Sequence, residues 1–144
     1  MKVFRRSRQG RRPMRVLIVE DEALVALELE GMLGLAGHET AGTADDLPSA
    51  MAAADRDRPD LALVDVHLAG GTSGLKVAAA LKAMGVPVVF ATGNCPAEEG
   101  RGLALGCLHK PFSDRSLALA LEAAEAAIEG RPAPDLPRSA FHAF

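Results

Sequence analysis

Residues 61–65, Leu-Ala-Leu-Val-Asp, decide how this chain is read: a short apolar run, of strand length, closed by a carboxylate. Residues 14–19, Met-Arg-Val-Leu-Ile-Val, have the same form, β-branched and ended by Glu20-Asp21. Further strands are expected at 38–43, at 86–91, where Pro87 sits at the start and the missing donor does least harm, and at 105–109. Between them lie helical patterns. Residues 21–36 carry a stripe of Leu24, Leu27 and Leu35 with Val25, Leu29, Met32 and Ala36, closed by Gly37 as the residue beyond the C-cap. A helix over 45–57 has Thr43 as its expected N-cap and Pro48 in its first turns. Another, over 75–84, is stopped by Gly85. The last, over 112–129, is capped by Ser113 and presents Leu117, Leu121, Ala124 and Ile128. Five strands alternating with helices give βαβ units, hence an α/β doubly wound parallel sheet with helices on both faces.

In such sheets the functional crevice lies beyond the carboxyl ends of the strands. Those ends carry Glu20-Asp21 after the first strand, Asp65 at the third, Thr92 after the fourth and Lys110-Pro111 after the fifth. Three carboxylates brought together resist joint ionisation unless a cation sits among them, and a hard oxygen-seeking ion such as Mg²⁺ suits. Lys110 adds a positive charge and Thr92 a hydroxyl able to donate to a phosphoryl oxygen. Together these form a phosphoryl-transfer constellation with Asp65 as the natural acceptor. His67 and His109 have no partner at metal-ligand spacing, and Gly70-Gly71-Thr72-Ser73-Gly74 lacks the Gly-Lys-Ser/Thr ending of a P-loop and reads as a turn.

With these residues in place the chain resembles the response-regulator receiver domain of two-component signalling. The resemblance is carried by VLIVEDE at 16–22, LALVDVHL at 61–68, VVFATGN at 88–94 and CLHKPF at 107–112. It implies a flavodoxin-like sheet of order 2-1-3-4-5 and a phosphoryl group taken by Asp65 from a kinase phosphohistidine. Asp21, Asp65 and the backbone carbonyl of His67 would bind Mg²⁺ directly and Glu20 through water, while Thr92 and Lys110 would meet the phosphoryl oxygens. It further implies a cis Lys110-Pro111 peptide. Phe90-Ala91-Thr92-Gly93 is similar to the FAT GUY subclass of receivers, which often works with histidine kinases of the HWE or HisKA2 type. As in that subclass, the usual switch aromatic is missing, and its position holds Cys107.

Length and composition fit this reading. The 144 residues suit one domain: a body over 14–129, a basic extension over 1–13 expected to be disordered, and a Pro-rich tail over 130–144 expected to fray, the alternative being that its Phe141 and Phe144 dock on the domain's own surface or on a partner. At 49% hydrophobic and 24% charged the chain can build a core, while no apolar run is long enough to span a membrane. Seven basic residues precede the first acid, whereas from residue 16 onward 9 basic face 19 acidic ones. The arm could touch nucleic acid or an anionic surface, but specific DNA binding is not expected, and with no Trp or Tyr base stacking is a poor trade. Two cysteines make no disulfide framework, so a reducing, cytoplasmic setting is expected. Residues 94–104, with Pro96, Gly100 and Gly102, are unfit for a stable helix and are expected to be the mobile, responsive part. Too few residues flank the body for a DNA-binding or enzymatic output domain, so the chain is expected to stand alone and not to turn over external substrates. Its expected partners are a sensor histidine kinase, a downstream target or phosphotransfer protein, and a second copy of itself. The alternatives are a small phosphatase with an Asp nucleophile on the same fold, and an unphosphorylated pseudo-receiver serving as an interaction module.

Overall fold

The computed structural model describes residues 11–68, 73–132, 134–135 and 141–144. The basic arm up to residue 10 and the glycine-rich turn at 69–72 lie outside the described residues, as do 133 and 136–140. Five strands follow the expected order: β1 (Arg15–Val19), β2 (Glu39–Ala44), β3 (Leu61–Val64), β4 (Val88–Thr92) and β5 (Gly106–His109). Four helices connect or follow them: α1 (Ala23–Leu35), α2 (Leu47–Arg56), α3 (Gly74–Ala83) and α4 (Asp114–Ile128). The first five strands are parallel in the order β2-β1-β3-β4-β5.

The sheet has six strands rather than five. Residues Phe141–Ala143 form β6, which pairs antiparallel with β5 and closes that edge. The expectation of a frayed tail is therefore wrong for 141–144. A three-residue strand behind three prolines has no periodicity to announce it; its partner decides it.

Side chains from the two sheet faces build two cores. One joins Val16, Ile18, Leu63, Val89 and Leu108 to Leu29 and Leu33 of α1 and to Leu117 and Leu121 of α4. The other joins Leu17, Val19, Val64, Val88 and Phe90 to Ala50 and Ala54 of α2 and to Val77 and Leu81 of α3. The strand interiors are buried on both faces, which is why they read as continuous apolar runs.

Local signals resolve as physical chemistry dictates. Gly37 (φ 88°) and Gly85 (φ 83°) take the left-handed conformation that ends α1 and α3. Ser113 caps α4, its hydroxyl accepting from the Ser116 amide at 2.9 Å, while Ser116 Oγ accepts in return from the Ser113 amide at 2.9 Å. The cap of α2 is Asp46 and not Thr43: its carboxylate accepts from the Ser49 amide at 2.9 Å, with Pro48 in the first turn as expected. The α1 stripe also needs correction. Ala26, Leu29 and Leu33 face the core, whereas Leu24 is 77% and Leu27 63% exposed, and Leu35 is exposed as well. A helix that is apolar nearly all round gives the periodicity no side to choose. Ile128, at the last turn of α4, is likewise exposed.

Between β4 and β5 no helix forms, as its composition dictates. Residues 97–103 run as successive turns, with the Gly100 amide bonded to the Pro96 carbonyl at 2.7 Å and Gly102 at φ 81°. The coil is anchored in a way the sequence reading did not foresee: Cys95 and Cys107 form a disulfide, with Cα atoms 6.0 Å apart. A pair of cysteines is too few to suggest a framework, yet the turn at 97–103 brings this pair together. The Lys82 ammonium also donates to the Gly102 carbonyl, tying the coil to α3.

Candidate functional site

The carboxyl ends of β1 and β3 lie side by side, in register from Val16↔Leu61 to Val19↔Val64, so the residues that follow each strand meet. The Asp65 amide continues the ladder to the Val19 carbonyl at 3.0 Å. Glu20, Asp21 and Asp65 converge there, one carboxylate oxygen from each lying within 4.8 Å of the others; it is the single such acidic or metal-binding group among the described residues. Glu20 and Asp65 are each 5% exposed and Asp21 is half-buried. A cleft beside them runs past Ala23, Leu27, Thr43 and Ser49.

Lys110 enters from β5. Its ammonium lies 3.0 Å from Asp65 Oδ2 and 3.4 Å from Glu20 Oε1. Lys110-Pro111 is cis, as the resemblance implied, and the Lys110 amide donates to the Thr92 carbonyl at 3.0 Å, fixing it beside the end of β4. Thr92, 1% exposed, is the last residue of that strand. All the residues singled out at the strand ends are thus at one edge of the sheet, and Asp65, Glu20, Asp21 and Lys110 are in one cluster.

The electrostatics are those of an acidic pocket with one built-in cation. Burial is the main reason that Glu20 is pushed up from 4.5 to about 7; the Asp65 charge adds to it, while the Glu22 amide and Lys110 oppose it. Burial pulls the Lys110 ammonium down, but its bond to the Asp65 carboxylate, the Asp65 charge and then Glu20 outweigh it, so the ammonium is held more firmly charged than usual. Three carboxylates sharing one ammonium leave negative charge over, and an all-oxygen donor set with an open cleft is what Mg²⁺ takes up while keeping several waters. The residues present fit the ion.

His67 enters through its backbone. Its amide donates to Asp65 Oδ1 at 3.1 Å, orienting the carboxylate, while its ring is exposed. His109 comes within 3.4 Å of the Cys95 sulfur, which is already committed to the disulfide. Gly74 is the residue that sequence reasoning missed. A Cβ there would stand 2.0 Å from the Asp65 carbonyl oxygen and 2.6 Å from Val66 Cα, and its amide bonds the Val66 carbonyl at 2.8 Å. Only glycine lets the start of α3 press against the backbone of Asp65. Its one sequence signal, a glycine-rich turn, is shared with any loop.

Comparison with known proteins agrees with this geometry. The family model described as the response regulator receiver domain matches residues 16–122, and the chain belongs to that family. Among curated proteins, the phyllosphere-induced regulator PhyR of Methylorubrum extorquens is 43% identical over 79 residues, covering 54% of this chain and 30% of PhyR. The transcriptional regulatory protein PdtaR of Mycobacterium tuberculosis is 36% identical over 117 residues, covering 78% of this chain and 57% of PdtaR. Among solved structures, the receiver domain of the Erythrobacter litoralis PhyR response regulator superposes with a TM-score of 0.68 at 28% identity, covering 88% of this chain and 98% of that one. The chain therefore spans less than two thirds of the curated relatives it matches.

Proposed function

We propose that this receiver takes a phosphoryl group on Asp65 from the phosphohistidine of a sensor histidine kinase in an Mg²⁺-dependent reaction. An Asp65 carboxylate oxygen attacks phosphorus as the phosphorus–nitrogen bond breaks; the imidazole leaves with the electron pair and is protonated by solvent, and an acyl phosphate remains. The Lys110 ammonium, 3.0 Å from Asp65 and 3.4 Å from Glu20, is the observation that carries the reading. Lys110 would meet phosphoryl oxygens once Asp65 is phosphorylated, and the Thr92 hydroxyl would donate to another. Asp21, Asp65 and the His67 carbonyl would hold Mg²⁺ and Glu20 would act through water; when bound, the ion neutralises the carboxylates and the incoming phosphoryl oxygens.

The protein so described signals by docking to another protein, passes phosphoryl groups along a relay or drains them, and does not turn over external phosphoesters. A bacterial cytoplasmic setting, in which the Cys95–Cys107 pair would be held reduced, and a kinase of the HWE or HisKA2 type belong to the same reading. Leu24 and Leu27, exposed on α1 directly after the acidic pair, offer the kinase an apolar surface beside the pocket. Incubation with acetyl phosphate and Mg²⁺, read by intact mass, tests the chemistry. One phosphoryl group should add to the wild type and none to Asp65→Asn or to chelator-treated protein. Equal labelling of Asp65→Asn would refute the assignment.

A further inference from the structure

Strand β6 does more than add a rung. Its register with β5 is Gly106↔Ala143, Cys107↔His142 and Leu108↔Phe141, and the Phe144 amide donates to the Leu105 carbonyl at 3.0 Å. Along a strand, residues three apart point to opposite faces. Phe141 accordingly enters the core shared with α1 and α4, while Phe144 enters the core shared with α2 and α3. The Phe144 ring centroid stands 6.4 Å from that of Phe90 and 5.8 Å from that of His142. Four residues staple both cores across one sheet edge.

The receiving surface is cut to fit. A Cβ on Gly106 would lie 2.4 Å from Phe141 Cζ and 2.6 Å from the His142 carbonyl oxygen. A Cβ on Gly100 would lie 2.6 Å from Phe144 Cε2 and 2.6 Å from the Pro96 carbonyl oxygen. Glycine inside a strand weakens it and commonly marks the close approach of another backbone, and here the approaching backbone is β6. The coil over 93–105, which no helix covers, forms the other wall through Leu103 and Ala104. A three-residue strand has too few ladder bonds to hold itself. Its hold comes from two aromatic seats and from the linker over 130–140, which keeps it at high effective concentration. The departure of such an occupant would expose an unpaired edge that can accept another extended chain.

We propose that the outer edge of β5, walled by the 93–105 coil, is a binding groove for an extended peptide bearing two phenylalanines three residues apart. Residues 141–144 are its resident, reversible occupant in cis, and a segment of the same chemistry takes the groove in trans when they leave. The groove uses no residue of the acid pocket, so Asp65→Asn leaves it intact and failure here is separate from failure of the phosphoryl reading.

The test uses the full chain and a fluorescent peptide of sequence Ser-Ala-Phe-His-Ala-Phe, residues 139–144. The folded F141A/F144A variant should bind it roughly tenfold or more tightly than the wild type, whose own tail competes. Adding Gly106→Ala to that variant should abolish binding with circular dichroism unchanged, and the peptide with both phenylalanines replaced by alanine should not bind. In the gentler Phe144→Ala variant, hydrogen exchange at 106–108 should be faster than in the wild type. Equal peptide binding by wild type and F141A/F144A, no binding by the folded F141A/F144A variant, or equal exchange at 106–108 would overturn the proposal.

Discussion

Glu20 carries the sharpest electrostatic conflict among the described residues. Its carboxyl is pushed up to about 7 chiefly by burial, with Asp65 adding, so between its ordinary 4.5 and about 7 the folded chain holds a proton that the unfolded chain has lost. Stability must then fall as pH rises through that window and level off above it, by up to about 3 kcal/mol in metal-free protein. Thermal melts in chelator should show a decline from pH 5 to pH 8 that Glu20→Gln flattens, and a rise over that range would contradict this. Because Mg²⁺ favours the ionised carboxylates, its stabilising shift should be larger at pH 8 than at pH 5. At this scale the site was legible in the sequence: Asp65, Asp21, Glu20 and Lys110 each close or follow an apolar strand, and strand ends in a parallel sheet must meet. Gly74 was not legible, because its role lies in a contact with Asp65 that no local pattern encodes.

Among the elements, the coil between β4 and β5 changes most between sequence and structure. Its one proline and its glycines correctly exclude a helix, and Cys107 leaves no aromatic ring at the position that precedes Lys110 by three. Yet the segment is not bare. The Cys95–Cys107 disulfide, Lys82 and the Phe144 ring hold it from three directions, all supplied by residues outside it or at its margin. Its mobility is therefore conditional. A disulfide closing a loop of this separation contributes about 3 kcal/mol by restricting the unfolded chain. Reduction with a phosphine should lower stability by about that amount and speed exchange over 94–104, while α4 is little changed. Phosphorylation of Asp65 should then slow exchange over the same residues, and Thr92→Ala should blunt that protection. No exchange difference between oxidised and reduced protein would show that the bridge does not restrain the coil.

For the whole molecule, the layered α/β architecture followed from the alternation of apolar runs and helical patterns, and the structure keeps it. What the sequence concealed are the features decided by distant partners: β6 on the edge of β5, the cysteine pair, and the outward face of α1. Leu24 and Leu27 look like core residues by type and are exposed because only one side of α1 meets the sheet. If that face receives the kinase, L24D/L27D should reduce phosphotransfer from the kinase about tenfold or more while labelling by acetyl phosphate is unchanged. Equal loss with both donors would place the effect in the pocket instead. The position that carries the phosphoryl group is decisive. Transfer from a phosphorylated histidine kinase, followed by borohydride trapping and peptide mapping, reads that position directly, because an aspartyl phosphate is reduced to homoserine. Homoserine is expected at residue 65 and at no other aspartate. Homoserine elsewhere, or label retained on His67 or His109 with residue 65 unmodified, would contradict it.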